Sequence, residues 1–222
     1  MRAIRLPVNW GQTTPNMVLS TSPFRTPKQR LEERQAKRQA VLRAAVRMFN
    51  ERGFHATSLE DVAASLGISK PTIYHYLGNK DQVLLECVSL GLEQLLEAAT
   101  IARKQPGTGI ERLRSFLRRY AEINMDDFGR CVIRTGEEAL SPESARRFRG
   151  HKREIDKAMR SLIEEGIADG SIAPNTDPKL LAFTLAGALN WPARWHAADG
   201  KQSAEEIARQ MVDLLTQGFA PR

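Results

Sequence analysis

Lys70, Thr72, Tyr74, His75 and Tyr76 crowd one short stretch of this 222-residue chain. Their tips are an ammonium, three hydroxyls and an imidazole. Such groups suit hydrogen bonding to phosphates and base edges rather than bond-making. Groupings for catalysis are missing. Glu137-Glu138 and Asp126-Asp127 are adjacent pairs. Neighbours on a helix point about 100° apart, so neither pair is an acid/base dyad, and both read as solvated surface. The four histidines His55, His75, His151 and His196 show no metal-ligand spacing. No glycine-rich phosphate loop, nucleophile elbow or HExxH helix occurs. The expectation is a non-enzyme that needs no cofactor and no metal. Cys87 and Cys131 each fall in a helical apolar pattern, and two distant cysteines make a weak case for a disulfide. A second constellation is Asn190-Trp191-Pro192-Ala193-Arg194-Trp195. Two tryptophans at i and i+4 on a helix share a face. With Arg194 they read as an aromatic wall and a cation for an acidic ligand, or as packing at a dimer edge.

The first set needs elements that can present it. Thr57 with Glu60 has the form of a T-x-x-E capping box, so a helix is expected to start there. Leu59, Val62, Ala63 and Leu66 follow at helical spacing, and Gly67 allows the chain to reverse. Ser69 can cap a second helix with Pro71 in its first turn, where a missing N–H costs nothing. Ile73 and Leu77 leave it one narrow apolar stripe, Gly78 stops it, and Asn79 can cap the next helix. Thr57–Lys80 therefore reads as a helix-turn-helix whose second helix can enter a major groove. The rival is a plain surface helical hairpin.

Ala44–Phe49, then Gly53-Phe54, then T-S-L-E-D-V-A-x-x-L-G-I-S-x-x-T-I-Y-x-Y-L-x-N-K, is similar to the amino-terminal domain of the tetracycline-repressor (TetR) family. The similarity covers about Arg38 to Leu85, with Leu77 where an aromatic is common. It implies an all-α, two-domain protein with a small DNA-binding part and a larger ligand-binding, dimerising part. It places Lys70 and Thr72 near base edges and Tyr74, Tyr76 and Lys80 on phosphates. Thr57, Ser58, Ser69, Pro71 and His75 complete the expected DNA-facing set.

Charge supports this division. Residues 1–80 carry 13 Lys/Arg against 5 Asp/Glu, and residues 81–222 carry 20 against 21. The excess positive charge sits where phosphate neutralisation would need it. Residues 1–27 have four prolines and no period, and read as a disordered extension, with Met17 a possible alternative start. Residues 28–80 read as the DNA-binding domain, opened by Lys28, Arg30, Arg34, Lys37 and Arg38. Residues 81–222 read as the ligand-binding and dimerisation domain. No signal peptide is evident, and the longest apolar run, Leu180–Ala193, is short for a bilayer, so the expected location is cytoplasmic with no membrane partner.

Beyond Lys80 the pattern is helical throughout: about Asn79–Lys104, Ile110–Met125, a less regular Asp126–Leu140, a short helix from Ser141-Pro142 to Arg149, and His151–Asp169. Asp177-Pro178 starts a helix that is uncharged from Leu180 to Ala193. A helix apolar all round is buried all round, so one face is expected on a second subunit. Ser203-Ala204-Glu205-Glu206 caps a final helix with a stripe ending at Phe219. Leu181, Leu185, Leu189, Met211 and Leu215 are the expected dimer contacts.

F-G-R-C-V-I-R-T-G (128–136), S-P-E-S and G-A-L-N-W-P-A-R-W resemble TetR-type repressors of fatty-acyl and steroid-ring catabolism, which respond to acyl-CoA thioesters. The resemblance implies an apolar lining from Phe116, Tyr120, Phe128, Trp191 and Trp195, with Arg194 at its edge. A belt of Arg130, Arg134, Arg146, Arg147, Arg149, Lys152 and Arg153 could hold CoA phosphates. Alternatively these cations pair with Glu137, Glu138, Glu143 and Glu154 on a wet surface. The resulting expectation is a ligand-responsive regulator, acting as a repressor on a palindromic double-stranded DNA operator, homodimeric and released by a small hydrophobic effector such as an acyl-CoA. The alternative class is a helical small-molecule carrier or enzyme whose N-terminal hairpin binds a protein partner.

Overall fold

The computed structural model describes residues 26–197 and 199–217. Residues 1–25 of the expected extension, and the end of the last stripe at Phe219, lie outside them. The described residues form ten α-helices and no strand: α1 Pro27–Arg52, α2 Leu59–Ser65, α3 Lys70–Leu77, α4 Lys80–Arg103, α5 Gly109–Met125, α6 Asp127–Arg134, α7 Pro142–Ala168, α8 Pro178–Asn190, α9 Pro192–Trp195 and α10 Ala204–Thr216. From Ala36 onward they make one compact unit. Before it, Thr26 caps the start of α1 by accepting from the Gln29 N–H at 3.2 Å, and Lys28 pairs with Glu32 at 3.9 Å.

Local chemistry explains most of the helix ends, with one correction. The box that opens α2 is Ser58 with Asp61, not Thr57 with Glu60. Ser58 Oγ accepts from the Asp61 N–H, and the Asp61 carboxylate accepts from the Ser58 N–H, both at 3.0 Å. Thr57 is buried and finishes the preceding helix instead, its hydroxyl reaching the Gly53 carbonyl at 2.9 Å and the Met48 carbonyl at 3.2 Å. Spare carbonyls at a helix end need donors, and a threonine just downstream supplies one. Gly67 takes φ +64° in the turn between α2 and α3, which a side chain would strain. Asn79 with Gln82 and Ser203 with Glu206 form full capping boxes. Thr108 with Glu111 forms another that the sequence pattern did not flag.

Two further differences concern the middle of the chain. Residues 142–168 form one helix where two were expected. Gly150 costs a helix only about 1 kcal/mol, and the buried residues on either side of it outweigh that. The less regular stretch resolves into α6 and a single 3-10 turn, Glu137–Ala139. Asp126 is the N-cap of α6, accepting from the Gly129 N–H at 2.9 Å. The α6 backbone runs so close to α4 that a Cβ on Gly91 would stand 2.8 Å from the Phe128 carbonyl oxygen. Both acidic pairs have structural work, since Asp127 binds Arg47 at 2.9 Å and Glu137 binds Arg149 at 2.7 Å.

Helix α4 carries the largest share of the core, with Val83, Leu84, Val88, Leu92 and Leu95 buried against its neighbours. Its first turn is fixed from the side. The Asp81 carboxylate accepts from the Ser141 N–H at 2.7 Å, the Ser141 hydroxyl at 3.0 Å and the Ser144 hydroxyl at 2.7 Å. The start of α7 is thereby tied to the start of α4. Burial works against the Asp81 charge, but these three donors outweigh it and hold its pKa below the ordinary value. A depressed carboxylate contributes stability above its unfolded pKa, near 4, and loses it as pH falls through the folded value. Asp81→Asn should cost about 2 kcal/mol in urea unfolding at neutral pH, with the difference from wild type closing as pH drops below about 4. A constant difference down to low pH would show that the charge is not what holds the turn.

Candidate nucleic-acid interface and internal cavity

Helix α3 is held by Ile73 and Leu77, both buried, and offers its remaining faces outward. Lys70, Pro71, Tyr74 and His75 are exposed, and Thr72 and Tyr76 are half-buried. Ser69 provides no side-chain cap; its hydroxyl lies 2.8 Å from that of Thr72. Lys70 is not free. It pairs with Glu60 of α2 at 2.6 Å, and the Tyr74 hydroxyl donates to the same carboxylate at 3.2 Å. The Lys70 ammonium holds the Glu60 carboxyl below the usual carboxylate range, and Glu60 raises Lys70 in return. Lys80 stands 4.2 Å from the Phe54 ring centroid and reaches the His55 carbonyl at 3.5 Å. Burial lowers its pKa. Of the expected set only Thr57 is buried; the others are exposed or half-buried.

Arg38 joins this head to α4. Its guanidinium donates to the Tyr76 carbonyl at 3.2 Å and grips the Glu86 carboxylate through both terminal nitrogens. Lower down, Asn50 Nδ2 donates to the Asp127 carbonyl at 2.8 Å, so the end of α1 also touches α6.

In the larger part, α4, α5, α6, α7 and α8 line a half-open cavity of about 270 Å3. Leu92, Leu95, Val132, Ile155 and Met159 give it apolar walls, and Tyr120, Lys152, Asp156 and Asn190 add polar ones. Only Tyr120 of the six residues expected at the ligand lines it. Phe116 is core, edge-on to Tyr120 at 5.7 Å. Phe128 is half-buried against the core. Trp191 and Trp195 are 62% and 51% exposed. The i, i+4 argument assumed one helix, whereas α8 ends at Asn190 and Pro192 opens α9. Arg194 is exposed, and its carbonyl accepts from Arg134 at 3.2 Å.

The expected basic belt divides. Arg130 and Arg134 are spent on backbone carbonyls, Arg130 at Met125 and His196 and Arg134 at Asn50, Ala193 and Arg194. Arg149 binds Glu137. Arg146, Arg147, Lys152 and Arg153 are exposed on α7 and form no ion pair among the described residues. Both cysteines are buried and free, and burial pushes the Cys131 thiol up to about 11, which keeps it from acting as a nucleophile. Among the described residues no group of His, Cys, Asp and Glu could hold a metal ion, and no helix is long and apolar enough to cross a membrane.

The expected dimer residues are also redistributed. Leu185 and Leu189 are buried in the protomer's own core, and Leu181, Met211 and Leu215 are half-buried against it. Leu180, Phe183, Trp191 and Leu214 are exposed instead, at 66%, 54%, 62% and 72%. With every face of α8 apolar, the sequence pattern could not say which one turns inward.

Residues 41–87 match the family described as bacterial regulatory proteins, tetR family, and residues 106–219 match that described as tetracyclin repressor-like, C-terminal domain. The chain is 26% identical to the HTH-type transcriptional repressor KstR2 of Mycolicibacterium smegmatis, over 83% of this chain and 91% of the relative. Among solved structures it superposes on the TetR family regulator PfmR from Thermus thermophilus with a TM-score of 0.73 and 31% identity, covering 80% of this chain and 97% of that one. It superposes on AibR, solved in complex with isovaleryl coenzyme A and operator DNA, with a TM-score of 0.69 and 25% identity, covering 80% and 96%.

Proposed function

The chain belongs to the tetracycline-repressor family of transcriptional regulators, and from that premise we propose a repressor that binds a palindromic operator as a homodimer and is released by a small hydrophobic effector. The observation that carries this reading is the double membership of α4. Its start meets Arg38 of the head, and its middle, through Leu92 and Leu95, lines the cavity. A ligand seated there acts on the helix that positions α3. To shift the balance it must bind the released geometry more tightly than the DNA-bound one. Residues 28–80 form the DNA-binding part, 81–222 the effector-binding and dimerising part, and 1–27 an extension.

In this reading Lys70 and Thr72 face base edges, and Tyr74, Tyr76 and Lys80 face phosphates, with Ser58, Ser69, Pro71 and His75 beside them. Glu60 holds Lys70 until DNA competes for it. Lys80→Ala should weaken binding to all sequences alike and lower the salt slope by about one in gel shifts on the chain's own upstream DNA. An unchanged slope removes Lys80 from the phosphate set.

The exposed apolar side chains Leu180, Phe183, Trp191 and Leu214 support a second copy as their cover. Sedimentation at micromolar concentration should give about twice the 24.9 kDa chain mass. A monomer mass contradicts the dimer.

An acyl-CoA suits the cavity and its surroundings. At about 270 Å3 the cavity lies near the lower bound of small-molecule sites, roughly 300–1,000 Å3, so it can take an acyl or ring moiety but not the nucleotide. The nucleotide would lie outside, where Arg146, Arg147, Lys152 and Arg153 form no ion pair among the described residues. An acyl-CoA should release the protein from DNA and its free acid should not. Equal release by the acid, or no CoA thioester bound in calorimetry, removes the CoA assignment and leaves the repressor.

A further inference from the structure

The polar groups around the cavity are not equivalent. Asp156 is paired with Arg160 at 2.6 Å, Thr135 lies against the Cys131 thiol at 3.5 Å, and Lys152 stands over the Phe148 ring. Tyr120 and Asn190 differ, because they belong to a network that reaches into the core. The Tyr120 hydroxyl donates to Asn190 Oδ1 at 2.9 Å, and the Asn124 amide donates to the same oxygen at 2.9 Å. Asn124 is fully buried, and burial raises the Tyr120 pKa, so the phenol stays protonated as a donor.

Two donors on one oxygen fix the orientation of the Asn190 amide. What remains to it is the amide nitrogen, with two N–H donors and no partner among the described residues. The network is also one bond short at its far end, where Asn124 Oδ1 is buried and unpartnered. The orphaned Asn124 oxygen costs stability that an apolar core would not, while the half-buried Asn190 keeps its amide nitrogen at the cavity wall. A donor pair on the cavity wall whose own oxygen is already engaged is what a ligand's acceptor would use.

We infer that Asn190 is the polar anchor of the effector site and that the effector presents a carbonyl oxygen to it, with its apolar body on Leu92, Leu95, Val132 and Met159. The inference rests on the cavity being the effector site proposed above. A thioester carbonyl and a ring ketone share this chemistry.

Calorimetric titration of the full-length protein with cyclooctanone, cyclooctane and isovaleryl-CoA separates the cases. Asn190→Asp keeps an acceptor for Tyr120 and Asn124 but removes the two donors. Cyclooctanone should lose about tenfold in affinity in this variant, while cyclooctane is unchanged. Asn190→Leu combined with Tyr120→Phe, which also removes the hydroxyl that the first change would free, should act in the same direction, so the result does not depend on how one variant folds; circular dichroism and operator binding check both. A parallel loss for isovaleryl-CoA assigns the carbonyl to a thioester, and a loss for the ketone alone assigns it to a ring or free ketone. Equal changes for cyclooctanone and cyclooctane in both variants, or no binding of either to the wild type, overturn the inference. Operator binding by the wild type in the same samples shows that the repressor reading has not failed with it.

Discussion

Helix α4 is clamped at its first two turns by two different elements. Asp81 takes three hydrogen bonds from the start of α7, and Glu86 takes both arms of Arg38 from α1. Both clamps are hydrogen bonds to a charged carboxylate, three at Asp81 and a two-armed grip at Glu86, and Arg38 adds a bond to the Tyr76 carbonyl. The start of α4 is thereby held both to α7 and to the head.

The larger part pays for its cavity in packing. Leu92, Leu95, Ile155 and Met159 face space that an optimised core would fill, and the Tyr120–Asn124–Asn190 network lies beside it. Void and buried polarity both oppose stability, and both occur between the helices that meet α4. Around them the interior is closely packed, as the near-contact of α4 with α6 at Gly91 shows.

Much of the head was legible in the sequence because its signals are local. A glycine turn, a proline in the first turn of a helix and an i, i+4 stripe at Ile73 and Leu77 act within a few residues and survived folding unchanged. Thr57 misled by one residue, since both it and Ser58 can cap and only the tertiary demand of the α1 carbonyls chose between them. The cavity was much less legible. Tyr120, an aromatic expected at the ligand, does line the cavity, but Asn190 gave no signal beyond its place in the Asn190–Trp195 run. Its hydrogen-bond partners, Tyr120 and Asn124, are some 70 and 66 positions away. The tryptophans drew attention by their i, i+4 spacing beside Arg194, and both are exposed, one on each side of the proline that opens α9.

The central claim is that cavity and head are two ends of one equilibrium. Linkage makes that claim quantitative, because an effector that weakens operator binding by some factor must itself bind more weakly to the operator complex by the same factor. The direct measurement is calorimetry of isovaleryl-CoA against the free protein and against the protein saturated with its operator, at one salt concentration. A weaker affinity in the complex, by the factor seen in DNA release, is the expected result. Equal affinity with and without DNA would contradict the account.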